Sequence, residues 1–126
     1  MSTWFKVKIR RADKLMSQYI KARDNGLCQY NFKCFRGEKG SQNSHFQKRR
    51  HESVRFDPEN CDWVCAKCHY FVETHPDGQK TLEQWKLKQL GEQKYNWLMI
   101  RTQTYHKKDD AMQILVIKEL TKSLKK

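Results

Sequence analysis

No stretch of this 126-residue chain is apolar for long enough to span a bilayer, and no repeat or low-complexity linker interrupts it. The opening residues Met1-Ser2-Thr3-Trp4-Phe5-Lys6 contain no apolar core of the kind a secretory signal carries. These absences predict a soluble, cytoplasmic protein with no membrane partner. Acidic residues are scarce in one half only. Residues 1–56 hold 4 Asp or Glu against 14 Lys or Arg, whereas residues 57–126 hold 10 against 12. The net charge of +12 is therefore concentrated in the first half, which points to a polyanion-binding face, most often for nucleic acid. Apolar residues are few as well, with a mean hydropathy of −1.00. A lean core has to draw on the four Trp, five Tyr and six Phe. The length suits one domain, residues 1–126, small enough for a metal staple to help.

What the chain does have is five cysteines. In a cytosolic chain they argue against a disulfide framework, and two closely spaced pairs favour a metal. Cys65-Ala66-Lys67-Cys68 is a zinc-knuckle spacing. Cys28 and Cys34, with five residues between them, form a slightly long partner loop. Cys28, Cys34, Cys65 and Cys68 together would make a closed tetrahedral thiolate site for a structural Zn²⁺, contributing folding energy and leaving no open position. Cys61 is the odd thiol and reads as a small core residue that could compete with Cys65.

In chain order, Trp4 to Arg11 alternates loosely and predicts a short strand or an extended basic arm. Residues 12–24 read as a helix: Leu15, Met16, Tyr19 and Ile20 share one face, and Asn25-Gly26 ends it. His45-Phe46 is expected to open the first strand of a hairpin. Ser53-Val54-Arg55-Phe56 alternates and is the expected second strand, followed by a turn at Asp57-Pro58-Glu59-Asn60. A helix should follow from Cys68 to about Thr74, and His75-Pro76-Asp77-Gly78 should break it. Thr81-x-x-Gln84 predicts a capping box for the next helix. Leu90-Gly91 separates that helix from one over residues 92–102, and Asp109-Asp110 open the last. Residues 81–124 are thus a helical extension without a readable motif.

The residues that could carry chemistry lie between the two cysteine pairs and just beyond them. A neutral histidine near its working pKa can take a proton from water, and His45 sits between the knuckles and beside a basic run. The Asn60 amide could fix the imidazole or the loop backbone by hydrogen bonds. His69 could face a divalent ion, with His75 as the next candidate ligand and Glu73, four residues on from His69, as the third. Lys48, Arg49, Arg50 and Arg55 are the expected phosphate contacts, which would position a backbone without reading sequence. His51 and His106 read as solvent-facing or phosphate-contacting.

His45, Asn60 and His69, framed by the two cysteine pairs, resemble the HNH endonucleases of the ββα-metal (His-Me finger) group over about residues 28–75. The stretch 12–20 together with His45-Phe46, Arg49-Arg50 and 55–60 further resembles the NinG/Rap recombination endonucleases of phages. The resemblance implies an α+β fold with a zinc-stabilised ββα-metal core, an N-terminal helix and C-terminal helices. It implies cleavage of double-stranded or branched DNA with a divalent cation (Mg²⁺, Mn²⁺ or Ni²⁺), leaving 5′-phosphate ends, and a host cytoplasm if the chain is phage-encoded. By position His45 would be the general base, Asn60 the orienting residue and His69 a metal ligand. Many HNH proteins carry Asp or His just before the base. Here Ser44 stands there, a poor ligand for a hard ion, and His75 is the substitute candidate.

The main expectation is thus a metal-dependent DNA endonuclease. The rival from another class is a zinc-stabilised DNA-binding module without catalysis, for which Ser44 is the best argument. A protein-interaction module is a third reading, disfavoured by the charge on residues 1–56.

Overall fold

The computed structural model describes residues 8–104 and 108–124. The first half of the expected N-terminal strand or arm, residues 4–7, and His106 lie outside them. The described chain is α+β, with five helices and one two-stranded antiparallel sheet. No helix among the described residues is long and apolar enough to cross a membrane.

Helix α1 (Arg11–Arg23) begins where the Arg10 backbone N–H donates to the Asp13 carboxylate at 2.7 Å. It ends in the left-handed pair Asn25 (φ 57°) and Gly26 (φ 71°), the conformation those two residue types tolerate best. Its apolar face, Ala12, Met16, Tyr19 and Ile20, is buried. Strand β1 (Gln42–His45) pairs with β2 (Cys61–Val64) so that Gln42 faces Val64, Asn43 faces Trp63, Ser44 faces Asp62 and His45 faces Cys61.

Two expectations about the hairpin need correcting. His45 closes the first strand instead of opening it, and the second strand is 61–64, not 53–56. The Ser53–Phe56 segment falls in and just after a 3-10 turn over Glu52–Val54. Its backbone has other partners: the Val54 carbonyl accepts from the Asn60 amide at 3.1 Å and the Arg55 N–H donates to the Glu52 carbonyl at 3.2 Å, while the Ser53 side chain donates through Oγ to the Arg101 carbonyl at 2.6 Å. Asp57 caps a second 3-10 turn, Pro58–Asn60, by accepting from the Glu59 N–H.

Helix α2 (Ala66–Thr74) starts at the second cysteine pair, with Cys65 as N-cap accepting from the Cys68 N–H. Helix α3 (Gly78–Leu90) begins three residues before Thr81, so the expected capping box does not operate. The Thr81 N–H is already satisfied by the Asp77 carbonyl at 2.9 Å. Gly78 starts the helix because a side chain there would lie 2.7 Å from the Val72 carbonyl oxygen and closer still to that of Phe71. Gly91 (φ 84°) breaks the chain between α3 and α4 (Glu92–Gln103). Helix α5 (Asp110–Ser123) lies against α1 through Ile114, Ile117 and Leu120.

The core divides about the sheet, as alternation along β2 requires. Cys61 and Trp63 join Met16, Tyr19, Ile20, Phe56 and Ile117. Val64 joins Tyr30, Phe46, Val54, Val72, Leu82 and Leu98. Asp62, between them, is 1% exposed and meets the equally buried Lys86 of α3 at 2.7 Å. Both faces of β2 are thus covered, which explains why all four of its residues are buried.

Candidate functional site

The four cysteines of the two knuckles converge. The sulfurs of Cys28, Cys34, Cys65 and Cys68 all lie within 4.8 Å of one another, and those of Cys34 and Cys68 are 3.7 Å apart. A tetrahedron with Zn–S bonds of about 2.3 Å has S···S edges of about 3.8 Å, so the cluster can hold a structural metal ion and suits zinc. The long first loop is drawn in by Asn31, which takes a left-handed conformation (φ 55°) and donates to Cys34 Sγ at 3.2 Å and to the Phe35 carbonyl at 3.1 Å. Tyr30 and Phe32 stack at 4.9 Å and pack on Trp85. The Lys33 N–H points at Cys68 Sγ at 3.3 Å and the Cys68 N–H at Cys65 Sγ at 3.4 Å, the kind of donor a thiolate needs. Cys61 stands apart in the other core cluster, where burial pushes its thiol up to about 12.

Beside this cluster an open cleft of about 320 Å³ runs between α1, β1 and α2, lined by His45, His69, Lys48, Arg49 and Glu73 among others. His45 stands at the end of β1. Its Nε2 lies 3.1 Å from the Arg55 carbonyl oxygen. A carbonyl only accepts, so Nε2 carries the hydrogen and Nδ1 keeps its lone pair. Burial lowers the pKa of His45 to about 4. The Arg55 carbonyl opposes the shift, and the Arg49 charge adds to it. The ring is therefore a neutral proton acceptor at physiological pH.

This gives a pH prediction. The folded pKa lies below the ordinary 6.5, so stability linked to this group is complete above about pH 6.5 and is lost as pH falls toward 4. At pH 6, two-bond ¹H–¹⁵N NMR spectra should show His45 as the neutral Nε2–H tautomer. A titration midpoint above 6 would contradict the assignment.

The carbonyl that orients His45 is itself held in place. Arg55 is buried, and its guanidinium donates to both carboxylate oxygens of Asp13, at 2.9 and 2.5 Å, and to the Lys8 carbonyl at 2.6 Å. Burial alone would raise the Asp13 pKa, but the Arg55 and Arg10 hydrogen bonds outweigh it and hold the carboxyl below its usual range. Arg55 is therefore not a phosphate contact, contrary to its sequence reading. Its charge is spent inside the protein, and its backbone serves the site. Asn60, completely buried, accepts from the Gln47 N–H at 2.7 Å and donates to the Gln47 and Val54 carbonyls at 2.9 and 3.1 Å. It fixes the loop backbone between His45 and Arg55, not the imidazole. Arg101 of α4 braces the turn that follows it through Asp57 and Glu59.

His69 lies in the second turn of α2 on the cleft wall. Burial lowers its pKa, while Glu73 raises it and Lys48 lowers it, so all three groups share one electrostatic environment. Lys48 is ion-paired with Glu73. Arg49 lines the cleft and Arg50 is exposed. His75 is not brought to His69. It caps the far end of α2, packs at a tilt against Phe71 with 4.8 Å between centroids, and accepts from the Asp77 N–H at 3.0 Å. Six residues along a helix carry it to a different face.

Asp13, Ser17 and Asn43 also line the cleft and were not singled out from sequence. Asn43 could have been: it lies two residues before His45 on the same strand face. Both its amide atoms are buried without a protein partner. Asp13 and Ser17 come from α1 and carried no signal of their own. The chain matches no family model, no curated protein and no solved structure.

Proposed function

We propose that this chain is a metal-dependent endonuclease of the ββα-metal (HNH) type that hydrolyses phosphodiester bonds in DNA, with zinc in the four-cysteine cluster as a structural ion. The observation that carries the reading is the placement of His45: an imidazole whose tautomer is set by the Arg55 carbonyl, on a cleft with cations on its rim. His45 Nδ1 takes the proton of the attacking water. Asn60, Arg55 and Asp13 position that base through the loop they close. Arg49 and Lys48 hold phosphate oxygens, and exposed Arg50 extends the same basic run. His69 would hold a divalent cation, Mg²⁺, Mn²⁺ or Ni²⁺, which when bound would supply charge stabilisation to the scissile phosphate and leaving oxygen.

The test is cleavage of supercoiled plasmid and of a four-way junction by the zinc-loaded protein, with each ion and with chelator. His45→Ala should fold, keep its zinc and lose about 10²–10⁴-fold in rate. A folded His45→Ala protein that cuts at the wild-type rate would refute the assignment, and the two substrates report whether branches matter. One observation favours the non-catalytic DNA-binding module instead: Ser44 is buried and its hydroxyl is engaged with Tyr30 at 2.9 Å, so the position before His45 offers a cation nothing. That reading predicts salt-sensitive DNA binding without product under every ion.

A further inference from the structure

We propose that Glu73 is the second protein ligand of the divalent cation in the His45 cleft, and that Lys48 is its exchangeable counter-ion, released to a substrate phosphate when the cation binds. The inference rests on the nuclease reading and names the ligand which that reading leaves open. Three other residues that could have supplied that ligand are committed or misplaced. Ser44 is bonded to Tyr30 on the opposite face of β1. Both oxygens of Asp13 are held by Arg55. His75 sits at the far end of α2.

Glu73 is four residues past His69, so the two side chains share one face of α2 and both border the cleft. An imidazole nitrogen and a carboxylate oxygen side by side are a donor set for Mg²⁺ or Mn²⁺. Glu73 already holds a cation: the Lys48 ammonium stands in that place. The pair is solvent-accessible, at 41% exposure for Lys48 and 35% for Glu73, and such pairs are weak. A divalent ion that gains His69 as well as Glu73 displaces the ammonium readily. Lys48 then remains on the rim beside Arg49, now free to take a phosphate. Cation binding and DNA binding should reinforce each other, each by the same factor.

The test uses the full zinc-loaded chain carrying His45→Ala, so that DNA is bound but not cut. Mn²⁺ affinity is read by calorimetry, and DNA affinity by fluorescence anisotropy with and without Mn²⁺. Glu73→Gln should weaken Mn²⁺ binding by on the order of tenfold or more. Lys48→Met should tighten it about two- to fivefold in the absence of DNA, and should reduce the gain in DNA affinity that Mn²⁺ confers. The opposite signs of the two variants separate an exchangeable ligand from a merely structural ion pair, whose loss would act alike from either side. Unchanged Mn²⁺ affinity in Glu73→Gln, with binding lost in His69→Ala, overturns the proposal and leaves the nuclease reading standing. Unchanged Mn²⁺ affinity in Lys48→Met overturns the exchange. No Mn²⁺ binding by the parent protein overturns both the ligand and the reading beneath it.

Discussion

Removing the metal from the four-cysteine cluster, or replacing Cys68 by serine, is expected to unfold the protein and not simply to loosen it. Structural zinc sites contribute about 10–16 kcal/mol of apparent binding energy, against a net stability of about 5–15 kcal/mol for a whole domain. The cluster here is placed to use that energy. Cys28, Cys65 and Cys68 are members of the same buried cluster as Val72, Leu82 and Leu98, so the ion would link the first loop to the start of α2 at the centre of the packing. Without an ion, burial pushes the thiols of Cys34 and Cys68 up. Four sulfurs within 4.8 Å of one another offer no comparable attraction without an ion between them. The measurement is zinc content by colorimetric release, with far-UV circular dichroism and thermal melting before and after chelation. One zinc per chain and loss of the cooperative transition on chelation are expected. A chelated protein that melts at the same temperature would show that the apolar core suffices. Cys61→Ser should leave the zinc content at one, because Cys61 belongs to the other cluster.

How far the sequence could be read depends on whether the deciding partners are local. Helix α1 was legible because its signals are local: apolar residues at helical spacing and the left-handed Asn25-Gly26 stop. The four-cysteine cluster was legible because thiols at knuckle spacing have few other uses. The second strand was not. Ser53 to Phe56 alternates like a half-buried strand, yet its backbone groups are taken by the Asn60 amide, the His45 ring and the Glu52 carbonyl. Cys61 to Val64 hides because both its faces are covered, which erases alternation. Arg55 looked like a phosphate contact because nothing near it in sequence reveals Asp13, its partner 42 positions away. His45 and His69 could be marked as a pair of interest from their setting. That they share a cleft with Asp13, Ser17 and Asn43 depends on α1 crossing the sheet, which no spacing encodes.

Lys86 is the residue whose sequence setting is least informative and whose replacement should cost the most outside the metal site. In Trp85-Lys86-Leu87-Lys88 it reads as one more solvated lysine. In the structure it is 1% exposed, donates to Asp62 at 2.7 Å and to Gln89 Oε1 at 2.9 Å, while Gln89 donates to the other Asp62 oxygen at 2.8 Å. Arg23 approaches Asp62 only to 3.6 Å. Lys86→Met therefore leaves a buried carboxylate short of its main counter-charge, and removing one partner of a buried pair costs about 3–5 kcal/mol. The expected result is a loss of that size in chemical denaturation, with the zinc retained. Replacing both partners by apolar residues, Asp62→Leu with Lys86→Met, should recover most of the loss, because the penalty lies in the orphaned charge more than in the missing attraction. A cost below about 1 kcal/mol for Lys86→Met would mean that Asp62 finds water or Arg23 instead. The effect should also reach the cleft. Asp62 faces Ser44 across the sheet, one residue before His45. A β2 strand that shifts to bring its carboxylate to solvent would carry the end of β1 with it and admit water to the His45 ring, relieving the burial that depresses its pKa. Lys86→Met should accordingly raise the His45 titration midpoint toward its ordinary 6.5, and the double variant should return it to the wild-type position.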